Sequence, residues 1–310
     1  MGVNTCDSRK RGSAVAEFVD DTVVDLEVRR SDDDHGSDFA PGENKRTQPA
    51  SGRPFRGLFA HPIPTRTVID EAIPTGCGPI DELLGGGFER GTVTQLYGPP
   101  AAGKTNLALS AAVETAVDGG TAVYIDTEGV SVDRFQQLLE ATTGQSSRDG
   151  AEPDDIEAVA SRIVIEDVLD FEEQAEAVRD AEEFAERADL IVVDSATGFY
   201  RLERTADGDE GEALRSVTRQ VTHLLSLARK HDLAVVLTNQ VFADPDSDRT
   251  KGLGGNTLEH WTGTVVRLER FRAGKRRATL EKHRSKPAGE SAQFRITETG
   301  LEGEDDTRRG

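Results

Sequence analysis

Cysteine is nearly absent from this chain of 310 residues: Cys6 and Cys77 are the only two. Two thiols so far apart build neither a disulfide framework nor a tetrahedral zinc site, and they fit a reduced, cytoplasmic setting. The six histidines are scattered without ligand spacing. No run approaches the roughly 18 consecutive apolar residues of a membrane-spanning helix, so no membrane partner is expected. The first residues lack the apolar segment of a secretory signal. Met1 is the sole methionine, which leaves no internal ATG start; a GTG start at Val68 would remove everything before it. Lysine is also scarce, 8 against 29 arginines.

Acids are plentiful. There are 57 Asp and Glu against 37 Lys and Arg, for a formal net charge of −20. An acid excess with few lysines points to a halophilic proteome, in which a hydrated acidic surface keeps protein in solution. The charge is polarised. Residues 1–70 carry 12 acids and 10 bases, residues 71–200 carry 27 and 7, and residues 201–310 carry 18 and 20. An acidic chain that keeps a basic end implies a polyanionic partner.

Residues 1–66 read as a disordered N-terminal extension, because Ser31–Asp38 and Pro41–Pro49 are polar, turn-rich and have little to bury. Residues 67–300 read as one α/β domain and residues 301–310 as a flexible tail. Within the domain, strands alternate with helices: Thr92–Tyr97, then Thr105–Ala116, Thr121–Asp126, Asp133–Ala141, a polar loop at 143–155, Arg162–Glu166, a long helix Phe171–Ala188, Leu190–Asp194, Glu212–Lys230 and Leu233–Thr238. The continuous apolar strands Leu190–Asp194 and Leu233–Thr238 suit a parallel sheet covered on both faces. From Gly263 the pattern turns antiparallel, with Thr264–Phe271 and Arg276–Arg284 flanking Ala273-Gly274 as a hairpin.

The most informative stretch is Gly98-Pro99-Pro100-Ala101-Ala102-Gly103-Lys104-Thr105. It fits G-x-x-x-x-G-K-[ST], preceded by a strand and followed by a helix, the context a phosphate-binding loop requires. Gly98 and Gly103 let backbone N–H groups turn inward toward phosphate oxygens. The helix N-terminus, with Asn106 in its first turn, adds partial positive charge. Lys104 reaches the β- and γ-phosphates and Thr105 ligates Mg²⁺ in loops of this type. The GTPase element Asn-Lys-x-Asp is missing, which favours ATP.

Two further carboxylates end strands of the same sheet. Leu190-Ile-Val-Val-Asp194 puts Asp194 where it would hold Mg²⁺ through its water shell. Tyr124-Ile-Asp-Thr-Glu-Gly129 offers Glu128 as the base that orients a water, and Asp126 as a cap on the helix that follows. Thr238-Asn-Gln-Val241 closes the next strand with Gln240, an amide suited to sensing a γ-phosphate. Trp261 reads as packing.

The order Ile73-Pro-Thr-Gly, Asp81-Glu-Leu-Leu-Gly-Gly-Gly87, GPPAAGKT, YIDTEG, LIVVDS, TNQV, Gly254-Gly255-Asn-Thr-Leu, Lys282-His-Arg-Ser-Lys-Pro-Ala-Gly-Glu290 and Phe294-Arg-Ile-Thr-Glu298 resembles the archaeal and eukaryotic RecA-type recombinases, in particular a short archaeal paralogue branch. The likeness spans roughly residues 71–300. It implies a RecA-type P-loop ATPase core that binds ATP and Mg²⁺. It also implies Lys104 and Thr105 as the phosphate and metal pair, Glu128 as catalytic glutamate, Asp194 as the Mg-linked aspartate and Gln240 as γ-phosphate sensor. Arg134 matches the arginine that stacks on adenine.

The chain departs from that family's full-length members. Residues 1–70 lack the periodicity of a helix-hairpin-helix DNA-binding domain. Phe55-Arg-Gly-Leu58 misses the Phe-x-x-Ala polymerisation motif at its last position. The segment Phe242–Gly252 is short and acidic where recombinases engage single-stranded DNA, and Asn256 stands in place of His. Resemblance to the short paralogue branch implies an ATP-binding, weakly hydrolysing, DNA-binding protein without strand exchange, and the departures agree with that profile. Arg267, Arg270, Arg272, Lys275, Arg276, Arg277, Lys282 and Arg284 form a basic hairpin suited to phosphate contacts, and Arg201 and Arg204 fall at the first DNA-loop position. Lys282 and Arg284 are open to a further reading, in which they reach a neighbouring subunit's γ-phosphate.

Two functional classes follow. One is a slow DNA-linked ATPase. The other is a recombination mediator for which ATP is a conformational ligand, working with single-stranded or branched DNA and with the main recombinase or a Holliday-junction nuclease. A KaiC-like signalling ATPase without a DNA role is the outside alternative, and the basic hairpin argues against it.

Overall fold

Leu190–Asp194 and Ala234–Ala243 are apolar without alternation where they cross the sheet, because both of their faces are covered. The computed structural model describes residues 72–145, 156–199, 210–243, 250–252 and 255–304. Its strands are β1 (Ala72–Ile73), β2 (Phe88–Glu89), β3 (Val93–Gly98), β4 (Ala122–Asp126), β5 (Ile163–Asp167), β6 (Leu190–Asp194), β7 (Ala234–Ala243), β8 (Thr250–Gly252), β9 (Thr264–Arg270), β10 (Lys275–Lys282), β11 (Ser291–Thr297) and β12 (Gly300–Glu304). The helices are α1 (Gly78–Leu84), α2 (Lys104–Val117), α3 (Val132–Gln145), α4 (Ile156–Ala160), α5 (Phe171–Asp180), α6 (Glu210–His231) and α7 (Gly255–Trp261).

The large sheet runs β12-β11-β10-β9-β3-β7-β6-β4-β5, with β8 beside β7. From β9 to β5 every neighbour is parallel; β10, β11 and β12 continue it antiparallel. One core lies on the face covered by α1, α2, α3 and α4, and includes Leu107, Phe135, Leu138 and Phe294. The other lies under α5 and α6 and includes Val178, Phe184, Val221 and Leu224. This is the α/β layering of a RecA-type core: helix, mostly parallel sheet, helix, closed by an antiparallel edge.

The structure corrects several sequence expectations. The hairpin expected from Thr264–Phe271 and Arg276–Arg284 is present, since β9 and β10 pair antiparallel through Arg276↔Arg270; β9 in addition pairs parallel with β3 through Thr94↔Thr264, and so joins the two halves. The expected helix Phe171–Ala188 is α-helical only to Asp180, then tightens into a 3₁₀ turn at Ala181–Glu183. Asp170 caps its start by accepting from the N–H groups of Glu172 and Glu173 at 2.8 and 2.9 Å. The tighter turn lets Phe184, Ala185 and Ala188 all face the core. The helix α4 begins immediately after the loop expected at 143–155, and α3 runs into its start; five residues are too few to show a period. The expected tail begins as a paired strand, since β12 spans Gly300–Glu304. Its sequence, GLEGE, has little β propensity, and Gly303 is there because a methyl group would overlap the ring of Pro79. The N-terminal extension 1–66, Phe55–Leu58, Arg201 and Arg204 fall outside the described residues.

A buried ion pair ties the start of the sheet together. Arg90 Nη2 lies 2.9 Å from Asp189 Oδ1, and Arg90 Nη1 donates to the Asp232 carbonyl at 3.0 Å. The other Asp189 oxygen accepts the Thr121 N–H at 3.1 Å. Asp189→Ala takes the carboxylate away from a buried guanidinium, and chemical denaturation is expected to show a loss of about 3–5 kcal/mol.

Candidate functional site

The phosphate-loop sequence sits where the parallel strands end. Gly98 is the last residue of β3, and a Cβ there would overlap the Leu268 carbonyl of β9. Gly103 has φ +106°, a conformation that favours glycine, and stands immediately before α2. No side chain caps the N-terminus of α2, and its first turn holds no acid. Its leading N–H groups are therefore left for an anion. Between the two glycines, Ala102 N–H donates to the Pro99 carbonyl at 3.2 Å and closes the curl. Lys104, 7% exposed, folds back so that Nζ donates to the carbonyls of Gly98 at 3.0 Å and Pro99 at 3.3 Å. Burial holds its ammonium below the usual lysine range, while Glu128 and Asp194 oppose that shift.

Asp194 lies at the end of β6 and is 1% exposed. Tyr124 donates to its Oδ2 at 2.7 Å and Thr238 donates to its Oδ1, with the Thr105 hydroxyl close by. Burial raises the pKa of Asp194, and these hydroxyl donors pull it back. Tyr124, wholly buried, is pushed well above the ordinary phenol value by burial and by Asp194. Tyr124 and Thr238 were not among the expected site residues. Their signal was visible as isolated polar groups inside apolar strands, at positions that flank Asp194 in the sheet.

Glu128 and Gln240 meet beyond the strand ends: Gln240 Nε2 donates to Glu128 Oε1 at 2.8 Å. Asp126 does not cap α3. Its carboxylate takes the N–H groups of Glu128 and Gly129, each at 3.0 Å, and of Val130, so it shapes the turn that presents Glu128. The helix cap is Ser131, whose Oγ accepts Arg134 N–H at 3.3 Å. Thr127 latches this turn to the end of β6 by accepting Ser195 N–H at 2.6 Å and donating to the Ser195 carbonyl at 3.1 Å. Arg134 Nε donates to Asn106 Oδ1 at 2.8 Å, and its Nη atoms reach the carbonyls of Glu298 at 3.1 Å and Gly300 at 3.5 Å. A guanidinium held by its edges keeps its faces available for stacking.

The basic hairpin is less open than its composition suggested. Arg267 pairs with Glu281 at 2.9 Å and Glu269 at 3.2 Å, and Arg277 pairs with Glu269 at 2.8 Å while lying over the Phe271 ring. Lys275 pairs with Glu304 at 2.9 Å, and Arg284 pairs with Glu89. Lys282 Nζ donates to the carbonyls of Glu259 and Thr262 at the end of α7, and Lys286 donates to those of Glu82 and Leu83 at the end of α1. The register explains the Arg277 pair, because Glu269 stands directly opposite Arg277. Arg270 and Arg272, at the turn, are exposed and have no carboxylate partner among the described residues. Arg276 points elsewhere, against Gly103 of the phosphate loop. Trp261, expected in packing, is 37% exposed beside His260. Among the described residues no group of three His, Cys, Asp or Glu could hold a metal by itself, and no helix is long and apolar enough to cross a membrane.

Comparison with known proteins adds an independent line. The Rad51 family model matches residues 66–304. A DNA repair and recombination protein RadB of Halobacterium salinarum is 66% identical over 235 residues, covering 75% of this chain and 95% of that protein. A protein of the same description from Methanococcoides burtonii is 43% identical over 234 residues, covering 75% of this chain and 98% of its own. Among solved structures, one described as the crystal structure of the RadB recombinase matches with a TM-score of 0.62 at 37% identity, covering 75% of this chain and all of that one.

Tyr124→Phe removes one donor from the Asp194 carboxylate and nothing else from its charge. Since that donor stabilises the ionised form, the Asp194 pKa is expected to move further up in a carbon-13 NMR titration of the carboxyl group.

Proposed function

The chain belongs to the Rad51 family, and on that premise we propose that it is a DNA repair and recombination protein of the RadB kind. In this reading it binds ATP with Mg²⁺ through residues 98–105, hydrolyses ATP weakly, binds DNA, and acts as a mediator or regulator without exchanging strands. The observation that carries the reading is the convergence of Lys104, Glu128, Asp194 and Gln240 at one end of β3, β4, β6 and β7. The relatives are named for DNA repair and recombination, which leaves a signalling ATPase without support.

The residues present fit a magnesium nucleotide. The glycine curl, an α2 N-terminus without a side-chain cap and a buried lysine suit a phosphate tail. A buried carboxylate beside the loop's own Thr105 suits a hydrated divalent cation. When bound, ATP supplies the phosphoryl group and Mg²⁺ offsets its charge. Lys104 holds the phosphates, Thr105 and Asp194 hold the metal and its water, and Arg134 and Asn106 border the base. Glu128 orients and polarises a water; Gln240, bonded to Glu128, links that carboxylate to the end of β7.

For DNA, single-stranded or branched, the exposed Arg270 and Arg272 are the favoured contacts, with Arg201 and Arg204 as further candidates. A second protein partner would be the main recombinase or a Holliday-junction nuclease. Hydrolysis and DNA binding are separable in experiment. Lys104→Ala is expected to weaken ATP binding by more than about 100-fold in calorimetry, and Glu128→Gln to keep binding while losing hydrolysis by about 10²-fold or more. Unchanged affinity in the first, or normal turnover in the second, removes the assigned role. Arg270→Glu with Arg272→Glu is expected to weaken DNA binding and lower the slope of log affinity against log salt by about two in fluorescence anisotropy. An unaltered slope moves the DNA surface elsewhere.

A further inference from the structure

Arg276 is a hairpin residue by sequence and a nucleotide-site residue by position. It sits one residue into β10, paired with Arg270 of β9 on one side and Phe294 of β11 on the other. Its side chain shares a sheet face with the buried Ala278 and Leu280, which pack in the core beneath α2. There it reaches the phosphate loop. A methyl group added to Gly103 would stand 3.2 Å from Arg276 Cδ and 3.3 Å from its Nε, with Ile296 Cδ1 also at 3.2 Å.

The guanidinium is only partly satisfied in that position. Nη1 donates to the carbonyl of Gly274, in the turn between β9 and β10, at 2.8 Å. Nε is buried and has no hydrogen-bond partner among the described residues. The charges that neutralise its neighbours are already engaged: Glu269 with Arg277 and Arg267, Glu304 with Lys275 and Arg295. The charged neighbour that acts on Arg276 is another cation, Arg270, which together with burial lowers the Arg276 pKa. A half-buried cation without a counter-charge is unfavourable unless an anion arrives. The adjacent α2 N-terminus, with no side-chain cap and no acid in its first turn, asks for the same kind of ligand.

From this geometry we propose that Arg276 is a further nucleotide-recognising residue, contributed by the C-terminal sheet, which adds positive charge to the phosphate site of residues 98–105 and couples its occupancy to the β9–β10 turn. The proposal rests on the nucleotide reading above. An anion in the loop draws on the Arg276 guanidinium, and the bond from Nη1 to Gly274 passes that restraint to the turn. The same turn carries Arg270 and Arg272, so a filled nucleotide site orders the segment proposed to meet DNA. A Rad51-type core thereby gains a route from ATP to a DNA surface that does not pass through the segment after β7.

The experiment uses the full chain with Arg276→Gln, Arg276→Lys and, as a control, Lys104→Ala. ATP affinity is measured by calorimetry, and amide hydrogen exchange is followed over residues 268–278 with and without Mg-ATP. Arg276→Gln is expected to weaken ATP binding about tenfold and Arg276→Lys much less, because the interaction is one of charge. ATP is expected to slow exchange in the turn of the wild type and of Arg276→Lys, but not of Arg276→Gln. Wild-type affinity in Arg276→Gln, or a turn still protected by ATP in it, overturns the proposal. Equal losses in the Gln and Lys variants with a lowered melting temperature also overturn it, since packing then accounts for the effect. If Lys104→Ala binds ATP normally, the nucleotide reading itself fails; if it loses ATP while Arg276→Gln does not, only the role of Arg276 is lost.

Discussion

Backbone proximity at Gly98 is the constraint on which the rest of the site depends. β3 runs between β7 and β9, and its last residue meets the Leu268 carbonyl so closely that only hydrogen fits. This contact fixes where the loop leaves the sheet, and Gly103 with its positive φ fixes where the loop enters α2. Between those two points the chain has room for a phosphate-sized curl. Buried neighbours then set the electrostatics: a lysine held among carbonyls on one side, a carboxylate held among hydroxyls on the other. Neither group is surrounded by enough water to be indifferent to its partner, and the arrival of a charged ligand therefore has a large effect on both.

The antiparallel edge does more than finish the sheet. The turn from β11 into β12 carries the carbonyls that hold Arg134, and β10 carries Arg276 to the outer side of the loop. Meanwhile Lys282 and Lys286 cap the ends of α7 and α1, and Arg284 bridges to β2. Positive charge in this region therefore divides into three uses: holding the domain together, flanking the nucleotide, and, at Arg270 and Arg272, facing solvent.

Much of this was legible before any coordinates. Gly98–Thr105 between a strand and a helix located the loop, and apolar runs ending in Asp194 and near Gln240 located the strand ends that converge on it. What the residues alone could not supply was pairing across the sheet. Glu269 lies opposite Arg277 only once the hairpin register is known, and Glu304 meets Lys275 only because GLEGE becomes a strand. Tyr124 and Thr238 became site residues when β6 was placed between β4 and β7. Arg276 was indistinguishable from its basic neighbours until the pleat set its side chain toward α2.

The central claim is that the curl from Gly98 to Thr105 holds the phosphate tail of a magnesium nucleotide. Its most direct test is calorimetric titration of Mg-ATP into the full wild-type chain in concentrated KCl, with phosphorus NMR of the bound nucleotide. The account predicts saturable binding at one nucleotide per chain, with the β- and γ-phosphate resonances displaced from those of free ATP. Absence of heat together with unshifted resonances at saturating protein would contradict it.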